Sequence, residues 1–266
     1  MTRSSTLPRI VLIGAAGRMG RAIAFRFLTD KKVELVGAVD LSVGHDTIGH
    51  LSGAVELGPE IVKDVELLPQ SLSADIVLDF STPDAVRAHI EPCLSRGWDC
   101  IIGVTGFTLD DENNFHSLAT NHGRKIVLVP NFCLGVNLML KFAKDASRVF
   151  ERVEIIELHH DKKADAPSGT AIHTAKLISE ESERTAPPSP DDPSRGRIEN
   201  NIPIHSVRLP GLLAHQEIIF GNPGEILTIR HDTTDRVAFL SGIYLAIEKL
   251  DKLEAGFIKG LDWALE

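Results

Sequence analysis

The stretch Ile10-Val11-Leu12-Ile13-Gly14-Ala15-Ala16-Gly17-Arg18-Met19-Gly20 decides the fold. Four apolar residues closed by a glycine read as a strand buried on both faces, as in a parallel sheet. Apolar residues at helical spacing follow from Arg18 to Leu28. The glycines between them are spaced GxxGxxG, a variant of the Rossmann dinucleotide fingerprint. Glycine there permits a tight turn, lets backbone N–H groups approach a pyrophosphate, and brings helix and strand close together. An anion is favoured at the helix start, where N–H groups have no intrahelical partner. A glycine turn serving packing alone has the same spacing, so context matters. Asp40 supplies it by ending the next strand candidate, Glu34 to Val39, where a carboxylate can accept from ribose hydroxyls. Leu41 follows and offers no charge to a 2′-phosphate, which Asp40 would repel. The expected cofactor is therefore NADH in preference to NADPH, with Arg18 close enough to permit dual use.

Further along, strand and helix patterns alternate. Ile76 to Leu78, Cys100 to Ile102 and Ile126 to Val129 read as strands. Pro83 after Ser81-Thr82 opens a helix that runs to about Arg96 before Gly97. Thr108 and Asp111 have capping-box spacing ahead of a helix toward His122. The alternation implies βαβ units in a parallel sheet with helices on both faces. Gly103-Val104-Thr105-Gly106 closes one strand; it is either a resting place for a nicotinamide or an ordinary turn.

The pattern changes near Asn131. A helix is expected from Gly135 to Phe150, a strand from Val153 to His160, and a helix from Gly169 to about Glu183. Thr185 to Pro193 is a proline-rich surface loop by composition. Two strand-like runs, His215 to Phe220 and Glu225 to His231, flank the turn residues Gly221-Asn222-Pro223-Gly224. These predict an α+β unit with a mixed sheet. Val237 to Glu266 reads as mostly helical.

The chain has 266 residues, room for one or two domains, and its hydrophobic fraction of 43% is ordinary for a globular protein. The net charge of −9 leaves no basic surplus for nucleic acid, though a small anion needs only a few local cations. Three scattered cysteines without a CxxC pair predict neither a disulfide framework nor a thiolate zinc site. No signal or membrane segment is legible, so a cytoplasmic protein without membrane attachment is expected.

Chemistry concentrates in Glu157-Leu158-His159-His160-Asp161-Lys162-Lys163-Ala164-Asp165-Ala166-Pro167-Ser168-Gly169-Thr170-Ala171. Ser168-Gly169-Thr170 opens a helix after a proline, and its N–H groups and hydroxyls suit a carboxylate or phosphate. His159, His160 and Lys163 bring cations and proton donors to the same stretch. Plainer explanations exist for each. Adjacent histidines on a strand point to opposite faces. A loop lysine is usually solvated, and Ser168 caps a helix in either case. No third ligand accompanies the histidine pair, so no metal is expected.

This stretch resembles the E(L)HHxxKxDAPSGTA motif of the dihydrodipicolinate (4-hydroxy-tetrahydrodipicolinate) reductase family. The likeness extends over nearly the whole chain. It takes in Gly14 to Gly20, Asp79-Phe80-Ser81, Gly103 to Phe107, Pro130-Asn131-Phe132, Gly135-Val136-Asn137, Gly224-Glu225, Asp235-Arg236 and Gly242. The resemblance implies an NAD(P)H-dependent reductase of the diaminopimelate route to lysine, acting on a cyclic imine dicarboxylate, and usually a homotetramer. It implies a dinucleotide-binding domain over 1–131, a substrate and oligomerisation domain over 132–235, and C-terminal helices, 236–266, that return to the first domain. Hinges near Asn131 and Asp235 would let the two domains close on each other.

Residue by residue, the resemblance makes His159 the general acid, with Lys163 its partner and a carboxylate ligand. His160, Ser168, Gly169 and Thr170 would hold substrate. Gly14, Gly17, Arg18, Met19 and Gly20 would surround the pyrophosphate and Asp40 the ribose. Gly103, Thr105, Asn131, Phe132 and Arg236 would complete the cofactor site. Leu41 departs from the arginine of some relatives and Val104 from a common threonine. Ala214 lies in a stretch usually richer in glycine and acid. Two other readings keep the dinucleotide site: another two-domain oxidoreductase, such as an amino-acid dehydrogenase, and a non-catalytic NADH sensor. The HHxxK–DAPSGT block speaks against both.

Overall fold

The computed structural model describes residues 7–42, 46–181 and 192–265. The chain divides into two units. The first comprises residues 1–132 and 239–266, the second residues 133–238.

In the first unit the elements in chain order are β1 (Arg9–Ile13), α1 (Arg18–Asp30), β2 (Glu34–Val39), α2 (Ile48–Ser52), β3 (Ile61–Val62), β4 (Ile76–Asp79), α3 (Pro83–Ser95), β5 (Asp99–Ile102), α4 (Leu109–His122) and β6 (Lys125–Leu128). The second unit contributes α5 (Leu134–Ser147), β7 (Arg152–His159), α6 (Gly169–Glu181), β8 (Arg197–Glu199), β9 (Ile202–Arg208), β10 (Ala214–Asn222) and β11 (Glu225–Thr233). The chain then returns through α7 (Ala238–Lys249) and β12 (Gly256–Lys259).

The first sheet has the order β12-β6-β5-β4-β1-β2-β3, with every pairing parallel. Apolar runs buried on both faces make such strands. Val11, Ile13 and Val77 join a core with Ile90, Trp98, Phe115 and Ile126 from α3, α4 and their neighbours. Ile10, Leu12, Ile76 and Leu78 are equally buried outside that cluster. α1 and α7 pack on each other through the Phe27 and Tyr244 rings, 5.6 Å apart. The strand order reverses between β1 and β4, since β2 and β3 lie on one side of β1 and β4 to β6 on the other, and in an open α/β sheet the crevice at such a point takes the ligand.

The capping box at Thr108 and Asp111 is formed, and Pro83 stands in the first turn of α3 with Thr82 as its cap. The mostly helical stretch expected after Val237 holds α7 but also β12, a strand not expected there, which pairs in parallel with β6 at the sheet edge. The helical turn before β12 ends at Leu253, whose backbone is extended, and Gly256 with φ of +151° opens the strand. The unit boundaries fall one residue later than Asn131 and three later than Asp235.

The second sheet has the order β11-β10-β7-β9-β8, parallel only between β7 and β9. Glycine at φ +90° in Pro223-Gly224 closes the β10–β11 hairpin. Asn200 and Asn201, at φ 51° and 63°, close the β8–β9 hairpin, a turn the sequence reading passed over. β7 alternates strictly: Val153, Ile155 and Glu157 are buried, while Glu154, Ile156 and Leu158 between them are half-exposed. The expected loop from Thr185 to Pro193 and the last residues of the Gly169–Glu183 helix fall largely in 182–191, outside the described residues.

Candidate functional site

Two constellations emerge, one in each unit. In the first, β1 ends at Ile13 and the chain turns through Gly14 at φ +74°. The N–H groups of Gly14 and Ala15 both donate to the Val39 carbonyl, at 2.9 and 3.1 Å, which ties the turn to the end of β2. Gly17 caps α1 without a side-chain hydrogen bond. A Cβ at Gly20 would stand 2.1 Å from the Gly14 carbonyl oxygen, and one at Gly14 would stand 2.7 Å from the Phe80 carbonyl. These glycines therefore let the start of α1, the turn and the end of β4 close together. Arg18 and Met19 occupy the first turn of α1, where N–H groups are free of intrahelical partners, and Arg18 is exposed.

Asp40 sits where the carboxylate was expected. Its Oδ2 accepts from the Ala16 N–H at 2.8 Å, and its Oδ1 accepts from Ser42 N–H and Oγ–H at 2.9 and 2.5 Å. Leu41 beside it is 73% exposed. Across the crevice, Asp79 is buried and accepts from Ser81 N–H and Oγ–H at 2.8 and 2.5 Å, which shapes the turn that carries Phe80. A Cβ at Gly103 would meet the Phe80 ring at 2.3 Å, and the Phe132 ring lies 5.5 Å from the same ring. Thr105 is exposed and Asn131 half-buried. The tight glycine turn, open helix start and strand-end carboxylate fit a dinucleotide.

In the second unit the centre is Glu157, fully buried on β7. Residues two apart on a strand share a face, so Glu157 and His159 point the same way. His159 Nδ1 lies 2.5 Å from Glu157 Oε2. Arg208, at the end of β9, donates from Nη1 to Oε2 at 3.0 Å and from Nη2 to Oε1 at 2.8 Å. Nη2 also donates to the Asp165 carbonyl at 2.7 Å, and the Ser168 N–H donates to Glu157 Oε1 at 3.2 Å. Burial works to raise the Glu157 carboxyl, but the hydrogen bonds from His159, Arg208 and Ser206 prevail and bring it to about 2.

Lys163 donates to both oxygens of Asp165, at 2.7 and 2.8 Å, which holds the Asp165 carboxyl below the usual range. The Lys163 side chain keeps 22% exposure. Ser168 is buried, and its Oγ accepts from the Ala171 N–H, capping α6. Gly169 and Thr170 form the first turn, and a Cβ at Gly169 would meet nothing within 4 Å. Packing therefore does not require glycine there; a side chain would fill open space beside the helix start. His160 carries a buried Nδ1 without a hydrogen-bond partner among the described residues. Arg236 is exposed in the turn before α7. Among the described residues no cluster of His, Cys, Asp and Glu could hold a metal ion. Nor is any helix there long and apolar enough to cross a membrane.

The family models for the N-terminus and C-terminus of dihydrodipicolinate reductase match residues 8–132 and 135–263. The chain belongs to the dihydrodipicolinate reductase family. It is accordingly an oxidoreductase that works with a pyridine nucleotide. A 4-hydroxy-tetrahydrodipicolinate reductase of Moorella thermoacetica is 44% identical over 263 residues, covering 97% of this chain and 98% of its own. One of Geobacillus thermodenitrificans is 42% identical over 264 residues, covering 97% and 99%. The solved dipicolinate-bound dihydrodipicolinate reductase of Paenisporosarcina sp. TG-14 superposes with a TM-score of 0.85 at 36% identity, covering 97% and 99% of the two chains. An amine dehydrogenase of Mycobacterium smegmatis, at 14% identity and a TM-score of 0.65, shares the fold.

Within this reductase framework the sequence reading left four residues without a role: Phe80, Glu157, Asp165 and Arg208. Glu157 could have been found, because its two-residue offset from His159 puts both on one strand face. Arg208 could not, since its place beside β7 depends on a parallel pairing that no local pattern announces.

Proposed function

We propose that the chain is a 4-hydroxy-tetrahydrodipicolinate reductase, reducing that cyclic dicarboxylate with NADH in preference to NADPH. The observation that carries this reading is the buried Glu157 carboxylate shared by His159 and the start of α6, with Lys163 on the loop that Arg208 ties to it. Together these groups offer a proton donor, an ammonium and a helix N-terminus, a donor set suited to a small dianion.

In this reading Gly14, Gly17, Arg18, Met19 and Gly20 receive the pyrophosphate, and Asp40 the ribose. Gly103, Thr105, Asn131, Phe132 and Arg236 serve the remainder of the cofactor. The bound nucleotide supplies hydride. Lys163, Ser168, Gly169, Thr170 and His160 hold the substrate carboxylates, and cationic groups there stabilise charge that develops on the ring. The 4-hydroxyl leaves as water, and His159 gives a proton to the carbon next to the one reduced, with Lys163 assisting. Asp40 and Leu41 support the NADH preference, since a 2′-phosphate would face a carboxylate with no cation at the next position.

A homotetramer is part of the same proposal. α5 and α6 pack on the second sheet, and the alternate face carries half-exposed Ile156, Leu158, Val207 and Ile219 beside an Arg230–Glu217–Asp232 ion-pair group. Such a face suits burial against another copy.

The deciding assay supplies freshly made 4-hydroxy-tetrahydrodipicolinate and follows oxidation of NADH and NADPH. Rapid consumption of NADH that depends on the substrate is expected. Binding of NADH without consumption would instead indicate a sensor, and turnover only with amino acids an amino-acid dehydrogenase.

A further inference from the structure

We propose that Glu157 is the positioning residue of the substrate site: through one carboxylate it sets the His159 tautomer and anchors the start of α6. This rests on the assignment of His159 as proton donor.

The two carboxylate oxygens do different work. Oε2 faces His159 Nδ1 at 2.5 Å and Oε1 faces the Ser168 N–H at 3.2 Å, while the Arg208 guanidinium spans both. An ionised carboxylate only accepts hydrogen bonds, so Nδ1 must be the protonated nitrogen. That leaves Nε2 as the nitrogen that carries and releases the transferable proton. When His159 holds both protons, the buried carboxylate balances the imidazolium charge. After transfer from Nε2 to the substrate carbon, the ring remains as the Nδ1–H form without turning over. A histidine whose second nitrogen is fixed by a carboxylate keeps both tautomer and ring orientation.

Arg208 keeps the carboxylate in place and reaches beyond it. Its Nη2 also donates to the Asp165 carbonyl, so one guanidinium holds Glu157 and the loop that carries Lys163. The Asp165 carboxylate in turn takes Lys163 Nζ on both oxygens. His159, Ser168 and Lys163 are thus located by one connected network whose central group is buried.

Glutamine is the discriminating replacement because it nearly preserves volume. A carboxamide has one oxygen and one NH2, whereas His159 Nδ1–H, the Arg208 guanidinium and the Ser168 N–H all donate to Glu157, and only the Ser206 hydroxyl can turn to accept. With its oxygen toward His159, the NH2 opposes Arg208 and Ser168 N–H; with its oxygen toward them, the NH2 opposes Nδ1–H. For E157Q we expect kcat with 4-hydroxy-tetrahydrodipicolinate and NADH to fall by about 10²-fold. KM for NADH should stay within about threefold, because the glycine turn lies in the other unit. Long-range 1H–15N spectra of the wild-type protein should show neutral His159 protonated on Nδ1, and E157Q should lose that single-tautomer signature.

An E157Q kcat within about threefold of wild type overturns the proposal. So does a neutral wild-type His159 protonated on Nε2, a measurement that needs no variant and therefore decides the matter even if E157Q does not fold. Equal losses in kcat and NADH affinity with a collapsed melting temperature would mark Glu157 as a general structural residue, also against the proposal. Failure of the functional reading looks different: the wild-type protein would then leave the substrate unreduced while His159 still showed its Nδ1–H signature.

Discussion

At the scale of single residues, the site is built on charges that satisfy one another. Lys163→Ala should abolish turnover, by about 10²-fold or more if it assists proton transfer, while NADH affinity stays within a few-fold. Steady-state kinetics with fluorescence titration of NADH tests this, and unchanged turnover would remove Lys163 from its role. Leu41 is the residue to change for cofactor choice. Leu41→Arg should improve NADPH affinity and leave NADH nearly as before, read by calorimetric titration; a wild-type preference of tenfold or more for NADPH would refute the Asp40–Leu41 argument. Glu157 also links the site to acid stability. Its carboxyl is at about 2 in the folded chain against an ordinary 4.5, so the unfolded state binds the proton more readily. The stabilisation is therefore complete above about pH 4.5 and disappears as pH falls toward 2. E157Q should flatten that part of a denaturant-midpoint-versus-pH curve.

At the scale of elements, what was legible in the sequence depended on whether local chemistry or distant pairing made the element. β1, β2, β4, β5 and β6 are short apolar runs, and α3 and α4 carry their own caps, so each was readable alone. β12 was not. Gly256-Phe257-Ile258-Lys259 follows a helix and a helical turn, and only its pairing with β6 makes it a strand. β9 contains Pro203, which argues locally against a sheet interior, yet it lies between β7 and β8. The same division holds at the site. Histidines, lysine and glycines announced themselves by type and spacing, whereas Arg208 reaches Glu157 across 51 positions of sequence. Close approach between elements also makes a prediction. A Cβ at Gly242 of α7 would stand 1.9 Å from the Phe132 carbonyl oxygen. Gly242→Ala should therefore cost about 1–3 kcal/mol or more through overpacking, despite alanine's better helix propensity. Urea unfolding would show it, and a neutral or stabilising effect would mean the two segments separate easily.

At the scale of the whole molecule, the open face of the second sheet carries the expectation of assembly. Ile219 lies on it, opposite Glu154 on one side and Thr228 on the other. Ile219→Glu should lower the sedimentation coefficient toward that of a monomer while leaving the far-ultraviolet spectrum unchanged; a wild-type protein that sediments as a monomer would end the tetramer proposal. The order of the first sheet has a consequence for how the molecule is made. β12 closes the edge of β6, yet more than a hundred residues of the second unit separate the two strands in the chain. As the polypeptide emerges from a ribosome, β6 must wait with bare backbone N–H and C=O groups until the second unit and α7 have been synthesised. The inserted unit can complete its sheet before the unit that encloses it in sequence, and that waiting edge is where a nascent or truncated chain is most exposed to wrong pairing.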